Sequence, residues 1–323
     1  SVYFPGTVVP MLPEKLSNGI CSLNPHEDRL TLSVVMKINN NGEVTAHNIT
    51  EGVINSKERM TYANVTKILD GDSELCQKYS HIVPMLHDMA ELAKILRKRR
   101  MSAGSIDFDF PETKVKLDEN GKAVDVYKYR SEISNKIIEE FMLIANQTVA
   151  EEFFWADIPF VYRIHEKPTH EKIAAFNDFA KNMGLRLGAK GEPHPGEFAA
   201  LLKKVHGTKE EMLISKMMLR SLMKAKYSPT CDGHFGLAFK YYCHFTSPIR
   251  RYPDLAIHRI IKEFLNSGIT DRRYSYLKRF VSEAAAKSSD AEIRAMEAER
   301  EATDMKKAEY MQSHIGEHYS AIV

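Results

Sequence analysis

The chain has 323 residues, 43% of them hydrophobic and 27% charged, a balance that excludes a mostly disordered chain, a collagen-like chain and a disulfide miniprotein. Lys and Arg number 45 against 43 Asp and Glu, a formal charge of +2. No whole-protein field therefore attracts a polyanion, and a nucleic-acid site has to be a local concentration of cations.

The longest apolar candidate for a membrane span, Leu32 to Ile38, is broken by Ser33 and Lys37 and falls far short of ~18 residues. The start, SVYFPGTVVPMLP, has no basic leader, so a soluble chain without a signal peptide is expected. Cys21, Cys76, Cys231 and Cys243 have neither CxxC spacing nor a regular framework, which predicts free thiols in a reducing cytoplasm. Ser1 rather than Met opens the chain, directly in a segment of strand character; a piece cut from a longer parent is expected.

The β-branched and aromatic stretch Val2–Pro10 predicts a first strand, and Leu30–Asn39 a second. Asn39-Asn40-Asn41-Gly42 supplies the positive-φ residues of a tight turn, so Glu43–Asn55 should return as the other arm of a hairpin. Beyond Tyr62 and Val65–Leu69, the positions Val83, Leu86, Met89, Ala90, Ala93 and Leu96 recur at helical spacing through Ile82–Arg100, and Gly104 stops that helix. Ser105–Phe110 and Lys114–Leu117 read as strands, the second turning at Asn120-Gly121 into Ala123–Tyr129. Helices then dominate: Glu132–Phe154, Thr169–Met183, Pro195–Val205, Glu210–Lys226 behind a Thr208/Glu211 capping box, Ile249–Asn266 after Pro248, and Asp271–Gln312. Phe160–Ile164 and Leu237–Phe245 are expected strands between them. The fold class is mixed α/β (α+β), a β-rich first part packed against a helix-rich second part.

Four constellations could carry chemistry. Arg97-Lys98-Arg99-Arg100 ends a helix, where cations suit the dipole; a solvated helix end and an RNA contact are equally good readings. From Tyr241 to Asp254 aromatic faces, Ser247 and the adjacent Arg250 and Arg251 surround a helix start, and arginine forks with free N–H groups fit phosphate oxygens. The alternative there is a buried ion pair, Arg251 with Asp254 or Arg250 with an acid elsewhere, that merely stabilises the helix start. Asp107-Phe108-Asp109-Phe110 alternates carboxylates and rings; an amphipathic edge strand explains it better than a hard cation site. Of Glu139 and Glu140, one should point inward and need a partner.

Read in order, VYFPGTVVPMLPEKLSNGICSLNPHEDRLTLS, SKERMTY, IIEEFMLIAN, YRIHEKP, HFGLAFKYYCHFTSPIRRYPDLAIHR and EAERE resemble the catalytic (RNB) domain of the ribonuclease II/ribonuclease R family. The resemblance covers residues 1–312, and 313–323 resemble the opening strand of an S1-type OB domain. It implies a processive 3′→5′ exoribonuclease that uses Mg²⁺ to hydrolyse single-stranded RNA from its 3′ end, releasing nucleoside 5′-monophosphates. It also implies a cytoplasmic monomer with no membrane contact.

The same resemblance suggests roles for particular residues. Tyr3 matches an aromatic that stacks on bases, and Phe108, or Phe110 if the alignment slips, the ring that clamps the 3′-terminal base. Tyr62 matches the tyrosine that sets final product size, and Glu139 a carboxylate reading the terminal ribose. Arg250 matches the arginine essential for catalysis and Glu299 a glutamate of the same cavity, with Ser247 and Arg251 as neighbouring RNA contacts. Stacking is indifferent to base identity, a carboxylate can accept the 2′-hydroxyl that tells RNA from DNA, and a fixed guanidinium stabilises charge gathering on the phosphoryl oxygens. The family's aspartate cluster, of D-x-D-D character, has no counterpart in this sequence. The metal ligands are therefore expected outside the chain, which alone should be weakly active or inactive. The rival readings are a non-catalytic single-stranded RNA-binding module and a structural α/β protein.

Overall fold

The computed structural model describes residues 1–108, 112–188 and 193–319. Pro5 and Gly6 break the expected first strand in two. Proline presets the first turn position and Gly6 adopts φ +77°, so β1 (Val2–Phe4) folds back on β2 (Thr7–Val9) with Phe4 opposite Thr7. Local turn chemistry there overrides β propensity. A π-helical turn, Lys15–Ile20, follows.

The two larger hairpins use one turn device twice. β3 (Asp28–Ile38) pairs antiparallel with β4 (Val44–Asn55), and Asn39 Oδ1 accepts the N–H groups of Asn41 and Glu43, both at 3.0 Å, while Gly42 takes φ +77°. β5 (Glu112–Leu117) pairs with β6 (Ala123–Tyr129), where Asp118 Oδ1 accepts from Asn120 and Lys122, both at 2.9 Å, and Gly121 takes φ +77°. An Asx side chain that closes the turn and a glycine in the left-handed region make both hairpins legible in sequence.

Between the hairpins lie α1 (Tyr62–Leu69), capped by Thr61, α2 (Ser73–Lys78), capped by Asp72, and α3 (Val83–Ser102). Then come α4 (Ile133–Trp155), β7 (Tyr162–Ile164), α5 (His170–Lys181), α6 (Pro195–Val205), α7 (Glu211–Ser221), β8 (Lys226–Ser228), α8 (Tyr252–Ser267) and α9 (Asp271–Gln312). The third helix ends where Gly104 (φ +98°) passes Gly196, and a Cβ on Gly104 would lie 2.8 Å from the Gly196 nitrogen. A side chain on Gly104 would push the start of α6 away from the end of α3.

Five expectations need correction. Leu237–Phe245 forms no strand: a 3₁₀ turn over Phe235–Leu237 leads into Ala238 at φ +55°. Its inner residues are satisfied one by one, Tyr242 C=O by the Arg163 N–H (2.9 Å) and Phe245 N–H by Asn146 Oδ1 (2.9 Å), rather than by a ladder. Ser105–Phe108 is likewise not a strand, while Asp109 and Phe110 lie outside the described residues. The Thr208/Glu211 box does not form, because Glu211 turns back to accept the Gly207 N–H (2.8 Å) and Thr208 Oγ1 donates to Val205 C=O. The helix it should open ends at Ser221, and Lys226 starts β8. The helix after Pro248 begins only at Tyr252, since Pro248–Arg250 are taken up in a turn.

Buried side chains form three clusters, and α4 joins two of them. Val149, Ala150 and Phe153 pack on Phe160, Tyr162, α8 and α9, the Phe153 and Phe160 rings stacking 4.8 Å apart. At the other end of α4, Ile137 packs against Ala90 and Ala93 of α3. A separate cluster unites α5, α6 and α7 around Phe176, Phe198, Ile214 and Met218. Each fully buried phenylalanine contributes about 1.5–3 kcal/mol of apolar burial, and α4 acts as the beam between α3 at one end and α8 and α9 at the other. The β-rich first part against a helix-rich second part is as expected.

Candidate functional site

Ser247 to Asp254 is a tight loop held by one buried carboxylate. Asp254, in the first turn of α8, is 0% exposed. It accepts Arg251 Nε at 2.9 Å, Arg251 Nη2 at 2.8 Å and the Ser247 N–H at 2.8 Å. The Ser247 carbonyl in turn accepts the N–H groups of Arg250 (3.2 Å) and Arg251 (3.0 Å). Arg251 thus commits its fork to Asp254, as the alternative reading of that pair had it. Arg250 is exposed, and no acidic partner holds its guanidinium among the described residues. The two adjacent arginines have different jobs, one locking the loop and one facing outward.

The outward arginine borders a cavity of about 700 Å³ that Tyr3, Arg251 and Glu299 also line. Here β1 lies against α9, and the Tyr3 N–H donates to Glu299 Oε1 at 2.6 Å. The Ser1 nitrogen, just before β1, donates to the Arg250 carbonyl at 2.8 Å, which ties this strand to the loop. Tyr3 is 46% exposed, so its ring remains available for stacking.

Glu139, Tyr62 and Phe108 lie elsewhere, outside that cavity's lining. Glu140, not Glu139, is the inward member of the pair, 2% exposed, and its partner is Arg100, 5% exposed. Glu139 is about half exposed, and its Oε1 lies 3.4 Å from Arg100 Nη2. Tyr62 opens α1, whose Thr66 Oγ1 hydrogen-bonds Ser134 Oγ at 2.8 Å, so it stands beside the start of the helix that carries Glu139. Phe108 packs against the α5–α7 cluster and borders a groove of about 1090 Å³ with Lys98, Lys128, Arg130, Lys203 and Lys209.

The run at residues 97–100 is solvated only in part: Lys98 and Arg99 are exposed, whereas Arg100 is buried. Arg97 pairs with Asp107, Arg99 Nη1 donates to Gly42 C=O at 2.8 Å, and only Lys98 of the four borders the groove. The signal was present: the buried stripe Leu86, Ala90, Ala93, Leu96 continues at helical spacing to Arg100.

Burial disfavours a positive charge on the histidines near the loop. Burial, with Arg251 and Arg163 adding, pushes His244 well below the usual imidazole range. His258 is lowered chiefly by burial while its Nε2 hydrogen-bonds Phe245 C=O. No histidine lines the cavity among the described residues, and its cationic side chains are Arg250, Arg251 and Lys287. As for a metal, the described residues bring together no group of three or more His, Cys, Asp and Glu suited to one. Asp107 and Asp254 are each taken by an arginine, and Asp109 lies outside the described residues. These residues do not fit a metal centre.

Against known proteins, the RNB domain family matches residues 1–267. Ribonuclease R 1 of Lactococcus lactis is 44% identical over 100% of this chain and 40% of its own length. Ribonuclease R of Thermotoga maritima is 43% identical over 100% of this chain and 46% of its own. The chain thus spans less than half the length of these relatives. Among solved structures, ribonuclease R of Mycoplasma genitalium in complex with ribose-methylated single-stranded RNA superposes with a TM-score of 0.90, at 29% identity, over 98% of this chain and 50% of that one. Among the described residues no helix is long and apolar enough to cross a membrane.

Proposed function

Because the chain belongs to the RNB domain family, we propose that it is the larger part, residues 1–312, of the catalytic domain of a processive exoribonuclease. This enzyme degrades single-stranded RNA from its 3′ end and releases nucleoside 5′-monophosphates. Residues 313–323 begin an S1-type domain. The working enzyme is a cytoplasmic monomer that uses Mg²⁺, held by ligands from outside the described residues. A solved relative holding single-stranded RNA and four free thiols support the substrate and the compartment.

The observation that carries the reading is the division of labour between Arg250 and Arg251. The Arg250 guanidinium, exposed and with no acidic partner among the described residues, is left to meet a phosphoryl group, whereas its neighbour keeps the loop in shape. Arg250 steadies the negative charge that gathers on the scissile phosphate. Glu299, fastened to the Tyr3 N–H, keeps β1 at the cavity wall so that the Tyr3 ring can stack on a base. Phe108 clamps the terminal base, Glu139 accepts a hydrogen bond from the terminal ribose, Tyr62 limits how short the product becomes, and Ser247 and Arg251 line the strand's path.

The test is 5′-labelled oligo(A) incubated with the chain in Mg²⁺ and in EDTA, with binding followed across a salt series. The expected result is RNA bound but left intact, with the salt slope falling by about one for Arg250→Ala, the loss of a single phosphate contact. A wild-type slope in Arg250→Ala would refute the role of that arginine. A ladder formed only with Mg²⁺ would place a metal site within these residues and make Asp107, Asp109 and Asp254 the ligands to change.

A further inference from the structure

Arg100 holds more than a buried ion pair requires. Its Nε donates to both oxygens of Glu140 at 3.2 Å and its Nη1 to Ser105 Oγ at 2.9 Å, and Ser105 Oγ donates to the Gly236 carbonyl at 3.3 Å. Its Nη2 lies between Glu140 and Glu139, 3.4 Å from Glu139 Oε1. For stability alone a well-packed apolar pair would serve as well as this one. An apolar pair could not hold the carboxylate next door, however. That carboxylate, Glu139, is 47% exposed, so one side meets Arg100 and the other is open to a ligand. Arg97, one turn earlier, pairs with Asp107 next to Phe108 and lies 3.7 Å from Glu140. One buried carboxylate thus ties the Glu139 neighbourhood to the segment carrying Phe108.

We propose that Arg100 is a positioning residue: anchored on Glu140 and Ser105, it holds the Glu139 carboxylate in the orientation that accepts the 2′-hydroxyl of a bound terminal ribose. This rests on the role given to Glu139 above. The charged groups facing Glu139 are Arg100 and Arg97 of α3, Glu140 of α4 and Asp107 from the segment after α3. Partial desolvation raises the Glu139 pKa; Glu140 and Asp107 add to the rise, and Arg100 and Arg97 oppose it. Weakening the Arg100 contact pushes it higher still.

Fluorescence anisotropy in EDTA, from pH 5 to 8, compares oligo(A) with the same oligomer ending in a single 2′-deoxyadenosine. The wild-type chain should prefer the ribose end about tenfold at neutral pH, the worth of one hydrogen bond to a charged group, and the preference should fade as Glu139 protonates. Arg100→Met with Glu140→Met removes the pair without stranding a buried charge, and a melting curve confirms its fold; its preference should drop to less than twofold. Arg100→Lys keeps the charge without the fork, and should shift the pH midpoint upward. If the double variant keeps the full preference while Glu139→Ala loses it, Arg100 is only structural and the proposal is overturned. If Glu139→Ala keeps the preference, or the wild type shows none, the ribose role of Glu139 fails and takes the proposal with it.

Discussion

Replacing Asp254 by Ala tests the loop that carries Arg250. The carboxylate is 0% exposed, and its loss removes three hydrogen bonds and leaves the Arg251 guanidinium, 19% exposed, without its counter-charge. Breaking a buried pair by deleting one partner costs about 3–5 kcal/mol, and the residual exposure of Arg251 puts this case near about 3 kcal/mol. An unfolding entropy of about 2.1 cal/mol/K per residue over 323 residues makes each kcal/mol worth about 1.5 °C. Calorimetry at pH 7 should therefore show a melting temperature lower by about 4–5 °C. Oligo(A) affinity should fall at temperatures where the variant is still folded, because the Ser247 N–H loses its anchor and the Arg250 turn loosens. Arg251→Met with Asp254→Leu, which strands no charge, should recover most of the melting temperature without the affinity. A single variant that melts within about 1 °C of wild type would refute the claim that this carboxylate organises the loop.

Phe108→Ala should weaken binding of short oligo(A) by about 1–3 kcal/mol if the ring stacks on a base; unchanged affinity in anisotropy would move the clamp to Phe110 or remove it. His234, held down to about 3 by burial with His165 and Arg163 beside it, stays neutral while an unfolded imidazole takes up a proton near pH 6.5. Stability present above that pH is therefore lost as pH falls toward 3, by up to about 2 kcal/mol at pH 5; denaturant melts of His234→Asn should lose that part of the slope, and an unaltered slope would exclude His234 as its source. Gly104→Ala, at φ +98° with a Cβ 2.8 Å from the Gly196 nitrogen, should cost about 2–3 kcal/mol, and a wild-type melting curve would show that the two helix ends part freely. The buried Cys243 thiol, pushed up by burial, should react with a thiol reagent only on unfolding, long after the exposed Cys21; equal rates would contradict the packing around Asn146.

Where the governing physics is local, the sequence alone determined the outcome. Asn39 with Gly42 and Asp118 with Gly121 close their hairpins through contacts within five residues, and α6 and α9 run over the residues expected of them. The long motifs likewise carried the family. Only tertiary structure decided matters that depend on who meets whom across the chain. Phe245 has the look of a strand residue, yet its N–H is met by Asn146 from α4, a partner no local pattern names. Arg250 and Arg251 are identical as residues, and the buried Asp254 separates them by taking one fork and leaving the other. Arg100 sat in plain view at the end of a basic run, and its burial follows from an acid on α4, 40 residues away, that needed a partner out of water. Propensity and turn chemistry act over a few residues, whereas desolvation and charge pairing are settled only when distant segments pack. Most local elements could therefore be read from the chain, as could the Arg251–Asp254 pair three residues apart, whereas the long-range partner of Arg100 could not.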